Sequence, residues 1–213
     1  MHFLVIISVF SASIVTASTE CCLLEQWEAM EIYLIGAYYN GSKILTRGSM
    51  NVSFDGQKQK IAYSIDESTS RGHFYKGFTI QDYNNKTQYD ISDGKCVKTD
   101  LLDPIPSRCV PSSSGIDLKS FFSVGPVKVP TTRYNIYFNI ETHLTVIDNS
   151  CIPVSYQQIG LIQGAQSIKT SEIYGFAAGI RNESIFNIPS ICKKAVSTPT
   201  NRKRRAFNLS WFT

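Results

Sequence analysis

The chain has 213 residues, 43% apolar and 18% charged, which suffices for one domain, or two small ones, with a buried core. That balance excludes collagenous, coiled-coil and wholly disordered chains. The formal charge is +4, and Arg202, Lys203, Arg204 and Arg205 alone account for it; the neutral remainder lacks the extended positive face that nucleic acid requires.

Phe3 to Val15 form an apolar, uncharged run too short to span a bilayer, followed by the small-residue cleavage pattern Val15-Thr16-Ala17. Residues 1–17 therefore read as a secretory signal peptide, and the mature chain is expected to be secreted. No second long apolar run follows, so no transmembrane segment is predicted.

Beyond this point the dominant period is two, the signature of half-buried strands. Apolar residues alternate at Val52 and Phe54, at Ile61, Tyr63 and Ile65, and at Phe74, Phe78 and Ile80. The clearest run is Tyr134, Ile136, Phe138 and Ile140, interleaved with Asn135, Tyr137, Asn139 and Glu141, and runs over 152–162 and 167–180 follow the same rule. Asp55-Gly56 and Asn84-Asn85 stand between successive runs, where hairpin turns need residues tolerant of positive φ, so neighbouring strands are predicted to be antiparallel.

The segment Leu102 to Gly115, with Pro104, Pro106 and Pro111, is read as a long surface connection inside one domain. Short helical turns are expected at Asp117 to Phe122 and at Glu183 to Phe186. The predicted organisation is one β domain over 18–195 and a disordered basic tail over 196–213. Within that tail Arg202, Lys203, Arg204 and Arg205 match the dibasic pattern cut by secretory processing proteases; the alternative is an electrostatic tail for anionic lipids or sulfated glycans.

Six cysteines, Cys21, Cys22, Cys96, Cys109, Cys151 and Cys192, follow the expected cleavage point. The even number and the absence of metal-type spacing point to disulfides in an oxidising compartment, with adjacent Cys21 and Cys22 each seeking a distant partner. Glycosylation sequons occur at Asn40, Asn51, Asn85, Asn182 and Asn208. Hydrolase, zincin, dinucleotide and P-loop motifs are all missing, and the mature chain has only His73 and His143, so no enzyme is expected. Asp82 to Lys86 begins like a calcium loop, but Lys86 occupies a ligand position and Thr87 stands where glycine is needed, which excludes an EF-hand. Asp90, Asp93, Asp100 and Asp103 stay as carboxylates for a less regular calcium site.

The chain resembles the ependymin-related proteins. The resemblance is carried by Cys22 with Trp27-Glu28, by Val52-Ser53-Phe54-Asp55-Gly56, by Tyr89-Asp90-Ile91 leading to Cys96, and by Phe122-Ser123-Val124-Gly125. It continues through Cys151-Ile152-Pro153-Val154 and closes with Gly179-Ile180-Arg181, Ser184-Ile185-Phe186, Pro189 and Cys192. It implies a mainly β fold of two curved antiparallel sheets, a sandwich or half-barrel around an apolar pocket like that of bacterial lipoprotein carriers, and a homodimer. It also implies disulfides Cys22–Cys151 and Cys96–Cys192, with Cys21 and Cys109 left to pair unless Cys21 and Cys22 exchange roles. Secreted or lysosomal glycoproteins, calcium, cell-matrix adhesion and hydrophobic ligands are associated with that family.

Two functions follow as expectations. The first is a non-enzymatic carrier of a hydrophobic small molecule or lipid, with Ile136, Phe138, Ile140 and Leu144 lining the pocket. The second is a calcium-associated adhesion glycoprotein that binds extracellular matrix. Strand residues that line a cavity and strand residues that fill a core have the same pattern, so the sequence leaves that choice open.

Overall fold

A computed structural model describes residues 20–195 apart from positions 40, 138, 139 and 163. The expected signal peptide, the sequons at Asn40 and Asn208, Phe138 and the tail with Arg202, Lys203, Arg204 and Arg205 lie outside the described residues.

The strands are β1 (Gln26–Tyr39), β2 (Ser42–Asp55), β3 (Lys60–Thr69), β4 (Phe74–Asp82), β5 (Thr87–Ser92) and β6 (Lys95–Asp100), then β7 (Gly115–Val124), β8 (Val127–Tyr137), β9 (Glu141–Ile147), β10 (Pro153–Ile162) and β11 (Ala165–Ala178). They form one 11-stranded sheet in the order β6-β5-β4-β3-β2-β1-β11-β10-β9-β8-β7. Every pairing is antiparallel. The chain thus makes two meanders, β1 to β6 and β7 to β11, and its first and last strands join them. The expectation of two sheets is corrected to one on this point: β1 pairs with β2 on one edge and with β11 on the other over nearly its whole length. Both rows of its backbone groups are satisfied, and no seam is left.

A sheet face must be buried against something, and the described residues contain no helical layer, only two short 3-10 turns at Glu183–Phe186 and Ser190–Lys194. The sheet covers itself instead. Bulges at Glu28/Met30, Ile116/Leu118 and Pro153/Ser155 increase local twist, and a sheet this wide curls. The result is a half-barrel whose edges, β6 and β7, do not pair. Its interior collects Trp27, Tyr33, Met50, Val52, Phe54, Ile61, Tyr63, Ile136, Leu144, Val146 and Tyr156, all buried in one cluster. The Trp27 ring stacks on Phe54 at 5.4 Å and on Phe176 at 5.7 Å between centroids.

One end of the half-barrel is closed by the chain before β1. Leu23 N–H donates to the Arg108 carbonyl, Val110 N–H donates to the Cys21 carbonyl, and Cys22 bridges Cys109 as an isolated antiparallel pair. The proline-rich connection is therefore not wholly on the surface, because Val110 is buried and Ile105 packs against the core.

The disulfides are Cys21–Cys151, Cys22–Cys109 and Cys96–Cys192. The pairing of Cys96 with Cys192 agrees with the family pattern, whereas the expected Cys22–Cys151 and Cys21–Cys109 pairs are exchanged. The reason is local: successive residues of an extended strap point to opposite sides, so Cys22 meets Cys109 across the bridge and Cys21 turns toward Cys151. The helical expectation for Asp117 to Phe122 is also overturned, since these residues belong to β7 and pair along β8.

On the convex side, residues after β11 form a pad over β3, β4 and β5. Phe186 is buried against Ala62 and Ile80, Arg181 Nε donates to Glu28 Oε2 at 2.6 Å, and Cys192 fastens the pad to β6 through Cys96.

Candidate functional site

The concave face is layered from the closed end to the open one. Trp27, Val52 and Phe54 fill the closed end. Next comes a polar belt, and beyond it a cavity of about 440 Å³ opens at the mouth. Ile136 and Leu144, expected to line the pocket, belong to the packed core instead and do not border this cavity. Ile140 is half-buried and faces Gly160, where an added Cβ would stand 3.6–3.8 Å away.

The belt is built from residues whose strand phase points them inward. Glu31 lies between Ala29 and Tyr33 in the inward phase of β1, and Lys169 lies between Ser167 and Ser171 in that of β11; all are buried. Lys169 Nζ stands 2.7 Å from Glu31 Oε1, which also accepts from Tyr156 Oη and from Ser171 Oγ. The ammonium sits over the rings of Tyr33 and Tyr156, 5.0 and 4.9 Å from their centroids, a favourable placement for a cation. Tyr33 Oη in turn donates to Glu67 Oε2 at 3.0 Å. Two carboxylates and one ammonium are thus buried on one inner surface, where their interactions are stronger than in water. Glu31 Oε2 is buried and meets no donor among the described residues.

Tyr33 reaches this position because residue 48 has no side chain. A Cβ on Gly48 would lie 2.6 Å from Tyr33 Oη and 2.9 Å from the Asp66 carbonyl. Gly48→Ala is expected to displace the ring from Glu67 and to cost about 1–3 kcal/mol, as overpacking does; urea unfolding of the variant measures it.

Above the belt, Ile35, Ala37, Ile44, Ile162 and Ala165 form the apolar wall of the cavity, and Glu67, Ser167, Thr46 and Thr69 supply polar groups. Arg71 and His73 stand exposed at its rim. A second groove of about 760 Å³ lies toward the outer face of the same strands, bordered by Tyr38, Leu45, Ile159, Leu161 and Ile168. It lacks a buried charged belt, so the concave cavity is the better candidate for a ligand.

The other candidates do not gather into a site. His73 is at the mouth, whereas His143 is in β9 beside Glu141, with Nε2 3.0 Å from Oε1. Asp90 is engaged by Thr79 and Gln88. Asp90, Asp93, Asp100 and Asp103 do not converge; among the described residues the one metal-type trio is Glu20, Cys22 and Cys109, whose two sulfurs form a disulfide. No cluster of three or more carboxylates forms among the described residues. Asn51, Asn85 and Asn182 are exposed.

A family model described as the ependymin domain of amoebozoa matches residues 37–211. The chain belongs to the ependymin family. A curated relative of this ependymin-family chain, the development-specific protein LVN1.2 of Lytechinus variegatus, is 22% identical over 177 residues, covering 75% of this chain and 94% of its own length. Among solved structures, an uncharacterized conserved protein from Thermus thermophilus overlaps with a TM-score of 0.45 at 10% identity, over 83% of this chain and 91% of that one. A LolA superfamily protein, NE2245 from Nitrosomonas europaea, overlaps with a TM-score of 0.34 at 8% identity, over 78% and 91% of the two chains. Overlaps this partial carry no functional weight. No helix among the described residues is long and apolar enough to cross a membrane.

Proposed function

We propose that this ependymin-family chain is a secreted, disulfide-bonded, N-glycosylated carrier without enzymatic activity, and that it holds a hydrophobic or amphiphilic ligand in the mouth of the half-barrel. The observation that carries the reading is the concave cavity of about 440 Å³, walled by Ile35, Ala37, Ile44 and Ile162 and floored by polar groups. Its volume falls within the range of small-molecule sites, and an apolar wall with a few convergent polar groups is their usual lining. Burial of about ten methylenes supplies roughly 8 kcal/mol of gross driving force, from which association subtracts about 4 kcal/mol or more. Three disulfides and exposed sequons favour a protein made in the secretory pathway. The carrier reading stands ahead of calcium-associated adhesion because the acidic residues offered for calcium are not gathered into one site among the described residues.

Native mass spectrometry of protein purified from eukaryotic secretory cells tests the proposal. The expected result is a co-purifying or exchangeable lipid in the wild type and its loss in Ala37→Trp, which fills the cavity from its wall. Absence of any bound or exchangeable lipid, or equal loading of both proteins, would overturn it.

A further inference from the structure

The hairpin of β7 and β8 forms one edge of the sheet, and its turn lies at the end of the half-barrel away from the mouth. We propose that the tip of this hairpin is an anchor for an anionic lipid bilayer, with Phe121, Phe122 and Val127 inserted at the interface and Lys119 and Lys128 meeting the headgroup phosphates.

β8 pairs with β9 only as far as Thr131, opposite Ile147, and at the same level Asp148 N–H donates to the Pro130 carbonyl. Beyond it the pairs Phe122 with Val129, Ser123 with Lys128 and Val124 with Val127 continue as a ribbon of two strands, about 10 Å long at the usual rise per residue. A two-stranded ribbon has no core of its own, yet this one presents large apolar side chains on both faces. Phe122 and Val127 are 45% and 57% exposed on one face, and Phe121 is 52% exposed on the other. Exposed apolar surface of this kind marks a site of interaction. A groove on a protein would cover one face and leave the other wet, whereas a bilayer interface receives both at once, to a depth of about 5–10 Å that matches the ribbon. Charge points the same way. Between Leu118 and Thr132 the sequence holds Lys119 and Lys128 and no Asp or Glu. Both lysines are exposed and share the face of Phe121, and Lys128 Nζ stands 4.6 Å from the centroid of its ring. The carboxylates at the base of the ribbon are engaged, Asp117 by Arg133 and Asp148 by Thr132. Lysine stems lie along apolar surface while their heads reach phosphate, and each basic group near an anionic leaflet strengthens binding about fivefold. A second copy of the chain fits less well, since pairing along β7 would set the lysines of both copies in one seam, the device by which edge strands resist such pairing. The anchor does not rest on the carrier reading: β10 runs from Pro153, beside Val146, to Ile162 at the mouth, so a docked tip directs the cavity away from the bilayer.

The experiment floats the full glycoprotein with vesicles of phosphatidylcholine, alone or mixed with phosphatidylserine, at low salt. The wild type is expected to bind the mixed vesicles about ten- to thirtyfold more tightly than the neutral ones, the combined effect of two lysines, and to be released as salt is raised. Lys119→Gln with Lys128→Gln should remove the preference for phosphatidylserine. Phe121→Ser with Phe122→Ser should weaken binding to both kinds of vesicle by about tenfold or more. These four side chains are exposed, so urea unfolding should be unchanged and folded proteins are compared. Phe122→Trp reads insertion directly, as a blue shift of emission relative to the wild type on mixed vesicles and as quenching by brominated acyl chains. Equal binding by the wild type and the paired serine variant, indifference to phosphatidylserine, or an unmoved tryptophan emission would overturn the anchor. Self-association in solution that the paired serine variant abolishes would overturn it too, by giving the hairpin to a second copy. Loading of the cavity with an apolar probe is expected to be the same in every variant, so the carrier reading stands or falls apart from these results.

Discussion

Lys169→Met is expected to lower the stability of the folded protein by about 3–5 kcal/mol, the cost of leaving a buried carboxylate without its counter-charge. Glu31 is fully buried and Lys169 nearly so, and the ammonium lies within 2.7 Å of the carboxylate while stacked over two tyrosine rings. Methionine keeps the length and the contact with the rings but removes the charge, so Glu31 must either stay ionised at a high cost or take up a proton. Paired replacement, Lys169→Met with Glu31→Leu, should recover most of the loss, because removing both charges from a dry interior is often neutral or better. A double-mutant cycle by urea unfolding at neutral pH separates the two effects, and an unchanged slope confirms that the folded state is compared with the same unfolded ensemble. A single-variant loss below about 1 kcal/mol would mean that the pair behaves as an exposed one. Since a domain of this kind has about 5–15 kcal/mol in total, the belt is a large stability liability held at the base of an open cavity. Placing such a group there is reasonable for a binding site and hard to explain for a filled core.

Much of the sheet could be read from alternation alone. Tyr134 and Ile136 fall in β8, Ile61, Tyr63 and Ile65 in β3, and the turn residues Gly56 and Asn84-Asn85 connect consecutive strands as expected. Asp117 to Phe122 resisted this reading because β7 is an edge strand with Ile116, Leu118, Phe121 and Phe122 exposed, so there is no buried phase to be seen. The merging of two meanders into one sheet depends on β1 meeting β11, a contact between chain segments far apart in sequence and invisible to local pattern. The belt has a signal in the sequence: Glu31 and Lys169 are opposite charges placed in the inward phase of their strands. Their pairing depends on β1 lying beside β11, which local pattern does not encode. Ile136 and Leu144 carried the same alternation as the residues at the mouth, and only position along the half-barrel separates those that fill the core from those that line the cavity.

The second large effect is expected on the convex side. Replacing Cys96 and Cys192 together by alanine should cost about 4–5 kcal/mol, the loop-closure term for cysteines separated by 96 residues in the chain-entropy account. Most of that loss acts through the unfolded chain, which regains the freedom of a long loop. The slope of urea unfolding should therefore rise as the unfolded state expands. In the folded state the pad keeps contacts of its own: Phe186 on Ala62 and Ile80, Arg181 with Glu28, and Lys58 with Glu183. Cys21–Cys151 and Cys22–Cys109 continue to close the opposite end. Because the pad covers the face opposite the cavity, the affinity for an apolar probe is expected to stay within about twofold of wild type once the protein is folded. A loss below about 1 kcal/mol would show that the uncross-linked chain already holds these ends together when unfolded. A marked fall in probe affinity in the folded variant would show instead that the convex pad and the concave mouth are coupled through the curvature of the sheet.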